Sequence, residues 1–194
     1  LKFSPSLKIE GALAESWATS KDGKTITFRL KSKIFFHSGE PITAYDAESS
    51  IRRALNPESK VRKYYDSIKE IKAIDDKTLI IILNYSFPPF LSVLAGATAK
   101  VLPKAQVLNP NFFSNPNGSG AFKFAGLDQA KKEISLEAFS KYYADKPKIN
   151  RMILKETTEE EAIKLAKNGK IHDLANWPLT ENNSVFEIGN KVSS

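Results

Sequence analysis

The apolar residues of this chain fall into short, punctuated runs, and the period of each run names an element. Thr25-Ile26-Thr27-Phe28-Arg29-Leu30 alternates polar with apolar, which places Ile26, Phe28 and Leu30 on one face of a half-buried strand. Asp22-Gly23 just before it is a turn signal, so the strand follows a hairpin turn. Over 44–56 the period changes. Ala47, Ile51, Ala54 and Leu55 recur at helical spacing, Thr43 with Asp46 forms a T-x-x-D start signal, and Asn56-Pro57 ends the helix. Glu70 to Ile74 and Thr78 to Leu83 read as a strand pair joined through Asp75-Asp76-Lys77, the second run being rich in β-branched residues. Pro88-Pro89 opens a short helix through Phe90-Leu91-Ser92-Val93-Leu94, where a first-turn proline gives up no needed N–H, and Gly96 closes it.

The second half is patterned more weakly. Asn109 to Gly120 is crowded with Pro, Gly, Asn and Ser, so it is expected to be a loop and the place where the chain passes between structural units. The expected organisation is therefore a subdomain over 1–110 and part of a main sheet over 111–194. Phe122 to Phe124 and Glu133 to Phe139 read as strands, the latter with Ile134, Leu136 and Ala138 on one face. Thr158 to Asn168 is a helix: Glu159, Glu160 and Glu161 suit the positive end of its dipole, Ala162, Ile163, Leu165 and Ala166 give it an apolar side, and Gly169 stands at its C-terminus. A strand is expected at Ile171 to Ala175.

Composition narrows the class. Of the 194 residues, 41% are hydrophobic and 26% charged, the balance of a folding globular chain. The longest apolar stretches, Leu79 to Leu83 and Phe87 to Ala95, are far shorter than the ~20 residues that cross a bilayer. Cysteine is absent, which removes disulfides, thiolate nucleophiles and Cys-ligated metals together. A net charge of +7 raises the question of nucleic acid, yet the lysines are scattered, and the densest patch, Lys60 to Lys63, lacks interleaved aromatics. Nucleic acid is not an expected partner.

Catalytic chemistry is sought in vain. The two histidines, His37 and His172, have no second ligand at metal-like spacing. Ser119 sits between glycines, but G-x-S-x-G needs one more residue on each side of the serine, and the same loop lacks the third glycine of a dinucleotide fingerprint and the Gly-Lys-Ser/Thr end of a P-loop. Asp75-Asp76 reads as a turn and Glu159 to Glu161 as a helix N-terminus, rather than as acid/base pairs. The residues point to a binder without catalytic residues, metal or cofactor, and leave its ligand open.

Three segments carry a resemblance. Gly11-Ala12-Leu13-Ala14-Glu15-Ser16-Trp17, the Asp22 to Leu30 run, and Phe36-His37-Ser38-Gly39-Glu40-Pro41-Ile42-Thr43-Ala44-Tyr45-Asp46 together resemble the signature stretch of the family 5 extracellular solute-binding proteins, which serve ABC importers of oligopeptides, dipeptides and nickel. Ile74 to Leu79, Pro88-Pro89-Phe90 and Val101-Leu102-Pro103-Lys104 are similar to the family's next hairpin, short helix and turn, in the same order. Asn117-Gly118-Ser119-Gly120-Ala121-Phe122-Lys123 is similar to its G-T-G-P-F/Y-K run; Tyr142-Tyr143 stands where the family has Tyr-Trp, and Lys170 to Leu174 resembles its Gly-Glu-Ile/Val-Asp.

The resemblance implies a mixed α/β fold of the type II periplasmic binding protein class, represented by one lobe with a small subdomain, the family's opening strand and second lobe being outside this sequence. It implies a ligand-capturing role, most simply for peptide and otherwise for a nickel chelate or another small solute. The implied partners are a membrane-embedded ABC permease and the second lobe, and the implied location is periplasmic or extracellular, with a lipid anchor as one form of attachment. The candidate ligand residues carried over are Tyr64, Tyr65, Asn117, Gly118, Ser119, Gly120, Asn176 and Trp177. Structural roles compete at each: the tyrosines can pack a core, the glycines can serve a turn, and Trp177 can cover a sheet edge. Trp17, among apolar neighbours, is read as core. A sensory domain of the same fold, attached to a transcriptional or signalling region, is the alternative function.

Overall fold

The computed structural model describes residues 1–109 and 111–171. The chain opens with a two-stranded ribbon, β1 (Lys2–Phe3) against β2 (Ile9–Glu10), and continues into β3 (Ala14–Thr19) and β4 (Thr25–Leu30). The turn between β3 and β4 is built by its side chains. Asp22 Oδ1 accepts from Ser20 Oγ at 2.5 Å and from the Lys24 amide at 3.1 Å, and Gly23 takes a φ of 70°. That left-handed conformation is one a residue without Cβ adopts at no steric cost.

Helix α1 (Ala44–Ala54) follows, then a 3₁₀ turn at Arg62–Tyr64, strands β5 (Ile68–Ala73) and β6 (Thr78–Leu83), and helix α2 (Phe90–Ala95). The β5–β6 turn is an Asx turn in which Asp75 accepts from the amides of Lys77 (2.7 Å) and Thr78 (2.8 Å) and from Thr78 Oγ1 (3.0 Å). The four long strands form one antiparallel sheet in the order β3-β4-β6-β5. Its register stacks the alternating residues: Ile26 lies opposite Ile81, and Phe28 opposite Leu79. Because side chains alternate across a strand, this places Ile26, Phe28 and Leu30 of β4 beside Leu79, Ile81 and Leu83 of β6, all buried.

Helix α1 buries Ala44, Ala47 and Ile51 into the same core and packs on β5 and β6. Its start is the T-x-x-D signal at work: the Asp46 carboxylate accepts from both the amide (2.9 Å) and the hydroxyl (2.8 Å) of Thr43. Polar side chains then fasten the helix outward. Glu48 Oε2 accepts from the Ala73 amide of β5 at 2.9 Å, Asp46 Oδ1 from the Lys104 amide at 2.9 Å, and Ser50 Oγ from the Leu102 amide at 2.9 Å. Helix α2 contributes Phe90 and Leu94, packs on β1 and β2, and ends at Gly96 as expected.

Strands β7 (Phe122–Asp128), β8 (Glu133–Ala138) and β9 (Arg151–Lys155) are consecutive in a second sheet, and helix α3 (Glu159–Lys167) completes the described elements. Thr158 caps α3, its hydroxyl accepting from the Glu161 amide at 3.3 Å. The chain divides into two compact units, one of Leu1–Phe124 with Leu136–Arg151, the other of Ala125–Ser135 with Met152 onward. The first holds the four-stranded sheet, α1, α2 and the core. The second holds α3, whose Ala162 and Ala166 are buried, and the ion pair of Lys132 with Glu156 at 3.8 Å.

Several elements differ from the sequence reading, among them β1 and β2, which no local pattern marks, and β5, which starts at Ile68 rather than Glu70. Strand β7 runs on to Asp128 through Gly126, a residue that weakens a strand pattern by offering no side chain. Strand β3 reads Ala-Glu-Ser-Trp-Ala-Thr without clean alternation and owes its form to pairing with β4, with a bulge between Ala14 and Ser16. Strand β9 has only three central apolar residues, Met152, Ile153 and Leu154, and was not anticipated. Trp17 is half-buried at the margin of the core, opposite Phe28. Ile171 is in no element, and the rest of the strand expected to Ala175 lies outside the described residues.

Candidate ligand-binding site

Within the first unit the core does not close completely. A cavity of about 540 Å³ opens between the sheet and the segments that follow α2. Its floor is Phe28, Leu30, Leu79 and Ile81; its sides are Ile51 of α1, Leu94 to Gly96 at the end of α2, and Lys100 to Leu102; its rim is Gly118, Ser119 and Gly120 on one segment and Tyr142 and Tyr143 on another. An apolar bowl with a few convergent polar groups is the ordinary form of a small-molecule site, and its volume falls within the usual range for one.

Local chemistry positions the rim. The turn Phe36 to Pro41 folds back on itself, the Phe36 amide donating to the Glu40 carbonyl at 2.9 Å, and it holds the 117–120 segment along its length. The His37 amide donates to the Gly118 carbonyl at 2.7 Å, and His37 Nε2 lies 3.0 Å from the Gly120 carbonyl. Asn117 Oδ1 accepts from the Ser38 amide at 3.0 Å, while its Nδ2 donates to Ser38 Oγ at 3.0 Å and to Gln106 Oε1 at 2.8 Å. Gln106 in turn donates to Glu40 at 2.8 Å. Asn117 thus serves as a bracket, and Gly118 passes close enough to His37 that a Cβ there would touch the ring at 3.4 Å.

The two tyrosines lie four and five residues past the end of β8 and their rings are 4.7 Å apart. Burial pushes the Tyr143 phenol well above its ordinary pKa, and the neighbouring Tyr142 phenol adds to the effect. Tyr143 is therefore a neutral hydroxyl at any physiological pH. Lys31 Nζ sits 5.0 Å from the centre of its ring, a cation–π contact that fixes one face.

The structure brings together Gly118, Ser119 and Gly120 at the cavity, with Asn117 bracing them from behind. Tyr65 is a core residue, 1% exposed, its hydroxyl 3.4 Å from Thr98 Oγ1. Tyr64 is 46% exposed in the 3₁₀ turn, under Lys63, and is not part of the cavity lining. Asn176 and Trp177 lie outside the described residues. Tyr142 and Tyr143 were not among the ligand candidates. The available signal was a pair of adjacent aromatics just past a strand end, next in the chain to the glycine-rich segment's own sheet.

The same sequence, over residues 8–193, matches the family described as bacterial extracellular solute-binding proteins, family 5 middle. The chain belongs to this family. It is 31% identical over 183 residues to the dipeptide-binding protein of Escherichia coli K12, covering 80% of this chain and 34% of that protein. It is 29% identical over 153 residues to the glutathione-binding protein GsiB of Pectobacterium atrosepticum, covering 76% of this chain and 30% of that one. Among solved structures, NikZ of Campylobacter jejuni in complex with Ni(L-His) superposes with a TM-score of 0.81 at 29% identity, over 88% of this chain and 36% of NikZ. The periplasmic binding protein DppA of Helicobacter pylori in complex with the peptide STSA gives 0.76 at 27% identity, over 88% of this chain and 39% of DppA. The chain thus spans about a third of the length of these family 5 proteins, and its mixed α/β architecture is theirs over that span.

Proposed function

We propose that this chain is the ligand-contacting part of one lobe in a family 5 solute-binding protein that delivers peptide, or a small peptide-like solute, to a membrane-embedded ABC permease from the periplasmic or extracellular side. The observation that carries this reading is the cavity of about 540 Å³ where the Gly118–Gly120 segment meets Tyr142 and Tyr143 above an apolar floor. In a family whose members named above bind a dipeptide, a peptide, glutathione or nickel–histidine, such a bowl suits a ligand with a short main chain and one apolar side chain. The glycine-rich segment would supply main-chain polar groups, and the tyrosines would supply aromatic faces and a neutral hydroxyl. A second lobe closing over the ligand would complete its burial, because one wall alone leaves much of it wet.

Isothermal titration with di-, tri- and pentapeptide pools, glutathione and nickel–histidine checks the proposal. Saturable binding of at least one peptide class is expected, in the weak range of about 0.1–1 mM for a single wall. Tyr143→Ala should weaken it about fivefold or more through lost aromatic contact. Heat effects indistinguishable from dilution for every ligand, on a folded sample, would contradict it.

A further inference from the structure

His37 is held in a way that favours the neutral imidazole. Its Nε2 lies 3.0 Å from the Gly120 carbonyl, which can only accept, so Nε2 carries the proton. Among the described residues its Nδ1 is buried without any hydrogen-bond partner. As a lone-pair acceptor, Nδ1 tolerates that situation at modest cost; as an N–H donor, it would be a buried and unsatisfied charge-bearing group. The Phe139 ring closes on the imidazole edge-on at 5.0 Å. The charged groups of this loop include Lys123 at the start of β7, which opposes a charge on the ring and itself pairs with Glu137 of β8 at 3.6 Å; Lys141, whose Nζ comes 3.9 Å from the place a Cβ would take on Gly39; and Glu40, turned to Ser38 and Gln106.

We propose that His37 is the positioning residue of the Gly118–Gly120 segment: its neutral imidazole, protonated on Nε2, latches that segment to the Phe36–Pro41 turn, and protonation of Nδ1 opens the latch. Burial holds the imidazole pKa below its ordinary 6.5 despite the Gly120 hydrogen bond, and Lys123 adds to the depression. A depressed folded-state pKa means that the unfolded chain binds the proton more readily, so the latch is intact above pH 6.5 and weakens as pH falls through that value toward the folded pKa. A consequence for ligand follows if the segment is the binding rim, and this part rests on the function proposed above: affinity should fall in mild acid.

The test uses the whole 194-residue chain, labelled with ¹⁵N, between pH 5 and 8. Long-range imidazole spectra should show His37 as the Nε2–H tautomer at pH 7.5, with the only other histidine, His172, assigned by His172→Gln. The Gly118 and Gly120 amide resonances should move with the His37 midpoint. His37→Gln replaces the Nε2 donor with an amide of similar reach that does not titrate; it should keep the segment's pH 7.5 resonances and abolish their movement, whereas His37→Ala should displace them at every pH. Peptide affinity, measured in parallel, should drop about tenfold from pH 7.5 to 5.5 in the wild type and stay level in His37→Gln. An Nδ1–H tautomer, or glycine amides that ignore the His37 titration, overturns the latch. Glycine amides that follow His37 while no peptide binds at either pH uphold the latch and overturn the ligand reading.

Discussion

At the scale of single residues, the positions that constrain this chain most are those where backbone geometry leaves one choice. Gly23 combines a φ of +70° with a neighbour, Ser86, whose hydroxyl occupies the place of a Cβ. Alanine there must accept a left-handed conformation, which costs about 1–2 kcal/mol, and must also displace Ser86. Gly169 has a similar φ of +64° but no atom of the described residues within 4 Å of its Cβ position, so among these alanine there meets the conformational cost alone. Gly23→Ala should therefore lower the urea midpoint more than Gly169→Ala does, without changing the slope of the transition. Equal effects would mean that the Ser86 contact carries no weight. Such constraints are invisible in a residue's type alone: Asp22-Gly23 announced a turn, but nothing in the sequence announced that Ser86 would seal it.

At the scale of elements, α1 is the organiser, and polar groups do the fastening. Burial pushes the Glu48 carboxyl up, but the Ala73 amide and Arg52, at 2.9 Å and 2.8 Å, outweigh it and hold the pKa below its ordinary 4.5. A depressed carboxylate pKa gives stability that is complete above pH 4.5 and is lost as pH falls through the folded value. Glu48→Gln should accordingly cost about 1 kcal/mol at pH 7. The gap to wild type should narrow as pH falls below 4.5, as read from urea midpoints at each pH; a gap that stays constant into acid would show that the charge is irrelevant.

The elements that were legible share a cause. The strand at 25–30, the helix from Ala44 and the 78–83 strand carry their own periodicity because each buries one face against the same core. Strands β3 and β9 carry almost none, since β3 is held by its neighbour's register and β9 has one short apolar run. The loop over 117–120 was legible as a loop and as a candidate rim. Its bracing by His37 and Asn117 spans about eighty residues of sequence, which no local pattern encodes. Tyr65 illustrates the converse. Its type suits a pocket wall or a core equally, and only the fold places it among buried neighbours.

At the scale of the whole molecule, the chain spans about a third of the length of the family 5 relatives it matches, with the bowl contained in its first compact unit. The bowl's floor is the hydrophobic core's own surface, so a ligand held there would rest on residues that also carry stability. A ligand that occupies the native bowl must raise the apparent stability of the first unit by mass action, modestly for a weak single-wall site. The direct measurement is a ¹H–¹⁵N spectrum of the chain titrated with a tripeptide pool. Saturable shifts centred on Gly118, Ser119, Gly120, Tyr142 and Tyr143, fading away from the cavity, are expected. Saturable shifts confined to other residues, with these five unmoved, would contradict binding in the bowl.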